Sequence, residues 1–277
     1  TAPGLNHSHY SALQVKNALV DLQREIWGER SSVDLDHPDL ALHLHLNRGG
    51  AVLSLDGSSG SLHRRGYRSA MGAAPLKENL AAGLIQLTGW DGRLPLVDPF
   101  CGSGVLLIEA VTTALQQAPG LGRQFGLEGW ADFDGELWER EHARARQRRR
   151  SDLDLAPVVG YEQDPLIADQ ARDNIQAAGL DGLISIHCGS FDQQTLPAGP
   201  GLLVCNPPYG HRVGADDDLE QLYRSLGSFV REQASGWQLW LLSGNPALTG
   251  ALRLKASRRI PVSNGGIDCR WLNYGIR

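Results

Sequence analysis

Cysteine is scarce and scattered: Cys101, Cys188, Cys205 and Cys269 form no CxxC pair. That spacing argues against a disulfide framework or structural zinc and for reduced thiols in a cytosolic protein, and no metal is expected. Long apolar runs are missing as well. The most apolar stretches, such as 202–205 and 237–242, are strand length, far short of the roughly 18 residues of a membrane span, so no membrane association is expected. The opening TAPGLNHSHY has no apolar secretory core, and because it lacks a methionine the natural N-terminus is expected upstream. An excess of basic charge is also lacking: 26 Lys and Arg face 31 Asp and Glu, so the overall footprint of a nucleic-acid binder is missing. There is no internal repeat or low-complexity tract. What remains is an ordinary globular composition over 277 residues, enough for one catalytic domain plus a smaller attachment.

Apolar spacing predicts a helix over 11–29, followed by two short strands at 39–46 (DLALHLHL) and 50–56 that pair antiparallel. His43 and His45 share one face of the first strand without a third ligand, which reads as a surface pair. The Gly/Ser/Arg connector at 58–68 marks the expected boundary. Beyond it the reading gives a helix at 75–87, a strand at 94–98, an apolar helix at 105–115 and a long insertion at 117–151. Strand and helix then alternate: 158–162, helix 166–178, 183–188, 202–205, helix 217–233, 238–242, with closing strands near 252–261 and 268–276. Such alternation implies an α/β fold, a doubly wound parallel sheet covered on both faces and finished by an antiparallel hairpin.

Three turns carry chemistry. At the end of the first strand of the alternating region, Asp98-Pro99-Phe100-Cys101-Gly102-Ser103-Gly104 runs into a helix. The glycines let the backbone approach a ligand, and Asp98 suits an ammonium; a GxG alone is equally a tight turn. Second, Glu162, with Gln163 and Asp164 after it, ends the next strand, where an acid accepts the hydroxyls of a ribose. It lies about sixty residues from the turn against the roughly twenty usual, an excess the insertion accounts for. Asp164 reads as a helix cap. Third, an apolar strand runs into Asn206-Pro207-Pro208-Tyr209. The prolines remove two donors, so the Asn206 side-chain oxygen and the Pro207 carbonyl can both accept from one NH2 group. Holding both hydrogens turns the nitrogen lone pair toward an electrophile. Tyr209 offers a ring for stacking.

Together these turns resemble the class I methyltransferases that modify exocyclic or amide nitrogens. SLHRRGYR (61–68), APLKENLAAGLIQLTGW (74–90), APGLGRQFGLEGWADFDGELW (118–138) and VSNGGIDCRW (262–271) narrow the resemblance to the bacterial large-subunit ribosomal RNA guanine-N2 methyltransferase family, whose members carry an N-terminal THUMP domain. The resemblance implies a Rossmann-like methyltransferase domain over 67–277, preceded by the C-terminal part of an α+β THUMP-like RNA-binding domain over 1–66. It implies S-adenosylmethionine as cofactor. Asp98, Phe100, Gly102, Ser103 and Gly104 would line its methionine end and Glu162 and Gln163 its ribose. Ser190, Phe191 and Asp192 stand where the family places an adenine-binding acid, and the acid itself is Asp192 or is replaced by Ser190. Asn206, Pro207, Pro208 and Tyr209 would hold the target base, with Asn206 also bordering the cofactor, while the helix bearing Lys77 and Glu78 would close the pocket.

The expected activity is methyl transfer to the exocyclic amino group of a flipped base, guanine N2 of large-subunit ribosomal RNA. An NH2 is also presented by adenine N6, by tRNA guanine and by protein glutamine, and a non-catalytic RNA-binding or ribosome-assembly factor is the rival of another class. His211 is expected near the base without acting as a general base. Arg64, Arg65 and Arg68, together with the run Arg144 to Arg150, are expected to contact phosphates.

Overall fold

The computed structural model describes residues 7–36, 38–47, 50–68, 76–209 and 216–277. Two compact units emerge: Thr1–Leu62 with Arg123–Arg140, and His63–Gly122 with Glu141–Arg277.

In the first unit, helix α1 (Ser8–Trp27) starts where the His7 side chain accepts from the Tyr10 N–H and ends at Gly28, whose φ of +79° suits glycine. Strands β1 (Ala41–Asn47) and β2 (Gly50–Asp56) pair antiparallel, with Ala41 opposite Asp56. His43 and His45 are exposed, and His43 Nε2 lies 3.4 Å from Asp56 Oδ2. Part of the predicted insertion belongs here. The Gly57 carbonyl accepts from Leu127 N at 3.1 Å, and the Arg123 guanidinium donates to the carbonyls of Ser58, Gly60 and Ser61.

The second unit is built on helices α2 (Glu78–Thr88), α3 (Val105–Ala114), α5 (Pro165–Ala177), α6 (Asp216–Gln233) and α7 (Pro246–Ala251); the remaining helix, α4 (Gly135–Gln147), begins in the Arg123–Arg140 segment. Its strands are β3 (Leu96–Asp98), β4 (Val158–Glu162), β5 (Ser185–Cys188), β6 (Leu202–Cys205), β7 (Gln238–Ser243), β8 (Arg258–Asn264) and β9 (Ile267–Gly275). They form one sheet in the order β5-β4-β3-β6-β7-β9-β8, parallel as far as β7 and antiparallel at β7–β9 and β8–β9. This is the expected α/β fold with its terminal hairpin.

Alternate residues on each strand enter opposite cores, as a period of two requires. Leu96, Leu202, Val204 and Trp240 pack with Leu84 of α2, Ile108 of α3 and Ile175 of α5. Val97, Leu203, Cys205 and Leu239 pack with Leu226 and Phe229 of α6 and Leu248 of α7. Cys101, Cys205 and Cys269 are buried free thiols and Cys188 is exposed. Among the described residues no helix is long and apolar enough to cross a membrane.

Two expectations change. The strand predicted near 252–261 begins only at Arg258. Ahead of it stands α7, whose start is an Asn-Pro signal: Asn245 Oδ1 accepts from Ala247 N and Leu248 N, and Pro246 occupies the first turn. The helix predicted from Pro75 is described from Glu78, and Pro75 lies outside the described residues.

Packing of α6 on the stretch after α7 depends on Gly227, where an added Cβ would sit 2.3 Å from the Leu252 carbonyl oxygen. An alanine in a helix ordinarily stabilises it relative to glycine, but here the obstacle is backbone that cannot rotate away. Gly227→Ala is expected to lower the unfolding free energy by about 1–3 kcal/mol, read from urea melts; an unchanged or raised midpoint contradicts this packing.

Candidate functional site

Sheet order reverses between β3 and β6, so the two connections leave in opposite directions and a crevice opens beyond the strand ends. Asp98 ends β3 and Asn206 follows β6. Between Asp98 and α3 the chain makes a tight turn: Gly102 and Gly104 take φ of +51° and +83°, Gly104 N donates to the Cys101 carbonyl at 2.8 Å, and Cys101 N donates to the Tyr161 carbonyl of β4 at 3.0 Å. Ser103 is pinned through its carbonyl, which accepts from Asn174 Nδ2 of α5 at 3.0 Å.

Asp98 is 1% exposed, and its Oδ1 accepts from Phe100 N at 3.0 Å. No ion pair involves it among the described residues. Burial, against the Phe100 hydrogen bond and reinforced by the charge of Glu162, pushes its carboxyl up to about 8. The native chain thus keeps this proton to higher pH than the unfolded chain does. The stability it contributes is complete below the ordinary carboxylate range and is lost as pH rises through about 8.

Glu162, at the tip of β4, is half-buried. Its Oε2 accepts from Gly102 N at 3.1 Å and its Oε1 from Asp164 N at 3.0 Å, which ties the strand end to the glycine turn. Asp164 caps α5, accepting from Leu166 N, while Gln163 is exposed. After β5, Ser190 is half-buried and Asp192 exposed. Phe191 is 3% exposed, its ring edge-on to Phe100 at 4.9 Å and to Phe229 at 5.3 Å.

Asp98, Phe100, Gly102, Ser103 and Asn206 line one cavity of about 160 Å³. Asn206 Oδ1 is buried there without a hydrogen-bond partner among the described residues. Gly104, Glu162, Gln163, Ser190, Phe191 and Asp192 are not part of this lining, nor are Pro207, Pro208 and Tyr209. The Tyr209 hydroxyl accepts from Asn264 Nδ2 at 3.0 Å, so the end of β8 holds the ring. His211 and Gly210 lie outside the described residues.

The arginine expectation is corrected in part. Arg65 Nη2 lies 3.5 Å from Glu109 Oε2 and Arg68 Nη1 lies 3.7 Å from Glu78 Oε1, with side chains only 16% and 6% exposed. They serve buried acids on α3 and α2 rather than standing as an exposed basic patch. Tyr67 OH donates to Glu109 Oε1 at 3.0 Å, and His63 Nδ1 is 2.9 Å from Glu78 Oε2. Burial raises the Glu109 carboxyl, against the pull of Arg65. A signal was present: Glu109 interrupts the apolar run VLLIEAV and must find a cation. Arg64 and most of the 144–150 run are exposed.

A family model described as RMKL-like, methyltransferase domain matches residues 65–273, and a THUMP domain model matches residues 3–56. A Synechocystis protein provisionally named an RNA methyltransferase is 44% identical over 275 residues, which cover 99% of this chain and 71% of that protein. The ribosomal RNA large subunit methyltransferase K/L of Syntrophotalea carbinolica is 45% identical over 282 residues, covering 98% of this chain but 40% of its own length. Among solved structures, a provisionally assigned methyltransferase complexed with SAH superposes with a TM-score of 0.85 at 28% identity, covering 95% of this chain and 69% of that one. The chain therefore belongs to the RMKL-like methyltransferase domain family, with a THUMP domain ahead of the methyltransferase domain.

Proposed function

We propose that this chain is an S-adenosylmethionine-dependent RNA methyltransferase that modifies an exocyclic amino group, guanine N2 of large-subunit ribosomal RNA. The observation that carries the reading is Asn206 Oδ1, buried and without a partner among the described residues, an acceptor waiting for a donor on the cavity that the buried Asp98 also lines. The name of the K/L relative supports ribosomal RNA, the THUMP match supports RNA, and the SAH complex of the structural neighbour supports the cofactor.

The residues fit the group. Asp98 would take the ammonium of the amino-acid end, Gly102 and Gly104 would admit its chain, and Glu162 would accept from the ribose. Phe100 would line that amino-acid end with Asp98 and Gly102. Bound there, the cofactor supplies an electrophilic methyl. Asn206 Oδ1 and the Pro207 carbonyl hold the two hydrogens of the target amino group and aim its lone pair, which is orientation and not acid–base work. Tyr209, held by Asn264, stacks on the flipped base.

Unmodified ribosomal RNA and labelled cofactor, with the modified base mapped by mass spectrometry, test the reading; label on another nitrogen or on none defeats the guanine-N2 proposal. Asn206→Ala should lower the single-turnover rate at least a hundredfold, on the order of 3 kcal/mol of transition-state alignment, while RNA and cofactor affinities change little. Tyr209→Ala should weaken RNA binding as well, by about 1–3 kcal/mol of stacking. A nearly full rate in Asn206→Ala makes this turn a structural corner only.

Asp98 gives a pH signature. An ammonium beside it favours the ionised carboxylate, so binding at pH 7 should release up to about one proton, read by calorimetry in buffers of different ionisation heat. Asp98→Asn should lose that release and much of the affinity; unchanged release would place the ammonium elsewhere. For RNA, replacing the exposed Arg146, Arg148 and Arg149 by glutamine should flatten the salt dependence of binding, by about one unit of slope for each phosphate that an arginine no longer neutralises. An unaltered slope leaves these arginines as solvated surface.

A further inference from the structure

We propose that Arg68 recognises the carboxylate of the cofactor's amino-acid end, making the small cavity beside Asp98 a subsite for a zwitterion. The inference rests on the cofactor reading above and goes beyond it in naming the cation.

At about 160 Å³ the cavity is well below the roughly 300–1,000 Å³ of whole-ligand pockets. It suits one end of a ligand. Asp98 on its wall favours an ammonium, but an α-amino acid brings a carboxylate on the same carbon. A carboxylate driven into this buried space beside Asp98 would be repelled unless a cation faced it. Among the described lining residues, Arg68 alone carries positive charge.

Its guanidinium is also only half used. Nη1 faces Glu78 Oε1 at 3.7 Å and Nη2 donates to the Leu76 carbonyl at 3.0 Å, while Nε is buried without a hydrogen-bond partner among the described residues. The side chain is 6% exposed, so the idle Nε–H is a desolvated donor, which is costly to leave unmade. Nη2 carries a second hydrogen. The Nε–Nη2 edge is the fork that takes a carboxylate side-on with two parallel bonds, something a lysine ammonium cannot reproduce. On the far edge Glu78 holds the plane, itself held by His63 Nδ1 at 2.9 Å. The guanidinium is thus fixed before a ligand arrives, and little side-chain entropy is lost on binding. Arg68 and Asp98, which both line the cavity, would read the two charges of one carbon centre.

The test uses SAH and the same compound with its carboxylate replaced by hydrogen, titrated calorimetrically into the full 277-residue chain. The native chain is expected to prefer SAH by about tenfold to a hundredfold, as a charge-assisted pair implies. In Arg68→Gln that preference should fall to about threefold or less, through weaker SAH binding, while affinity for the carboxylate-free compound stays within about threefold of native. Arg68→Lys should recover only part of the preference. A merely structural role for Arg68 predicts equal losses for both compounds, and that result overturns the proposal. Equal affinity of the native chain for the two compounds overturns it without any variant, so a misfolded Arg68→Gln does not shelter it. If the native chain binds neither compound, the cofactor reading itself falls; if it binds both alike, that reading survives and only the role given to Arg68 falls.

Discussion

Parallel pairing of β3 with β6 sets where everything else must go. Each strand is an interior member of the sheet, with Leu96 beside Leu202 and Val97 beside Leu203, and both of those rows are buried. Helices on both faces leave the strand ends as the open edge of the layered core, and there the opposite directions of the outgoing connections part the chain. Asp98 and Asn206 meet at that parting because two apolar strands lie in register, although 108 positions separate them in the sequence. Neither polar group could be held so dry on a loop alone. The hydrophobic sheet carries the cost of burying them.

A second layer of order comes from the charged cluster around α2 and α3. Glu78 and Glu109 are 4% and 3% exposed, and two such acids without partners would be strongly unfavourable. Arg65, Arg68, His63 and Tyr67 answer them from one short segment ahead of α2. Ion pairs of this kind add little net stability when balanced against desolvation, but losing one partner strands the other. Their effect is therefore positional. They fasten the segment 63–68 to the helices and place Arg68 on the cavity that Asp98 borders.

Legibility in the sequence followed how local the cause was. Strands β2, β4 and β6 could be read to their ends because apolar runs stop at sharp polar or proline signals, as at Cys205-Asn206-Pro207. The glycine turn and the acid of β4 were equally plain, since each is a contiguous motif. What could not be read was set by distant partners. SLHRRGYR looks like a basic patch until Glu109, more than forty residues on, is seen to claim Arg65. The hydrogen bond from Asn264 to Tyr209 spans 55 positions and has no spacing rule. Helix α7 is a different case, for its Asn245-Pro246 start was present in the sequence, but the stretch between the strands expected at 238–242 and near 252–261 was given no element.

The cysteines, which first served only to exclude disulfides and zinc, give the fold a chemical address. Cys101, Cys205 and Cys269 are buried, and burial pushes each thiol up, away from the reactive thiolate. Cys188 is exposed and sits opposite Glu162 in the β4–β5 register, its Sγ 3.9 Å from the Gln163 carbonyl. The chain thus carries its own attachment point for a thiol-directed dye one strand away from the acid that grips the glycine turn. A fluorophore there would report on the crevice without any engineered residue.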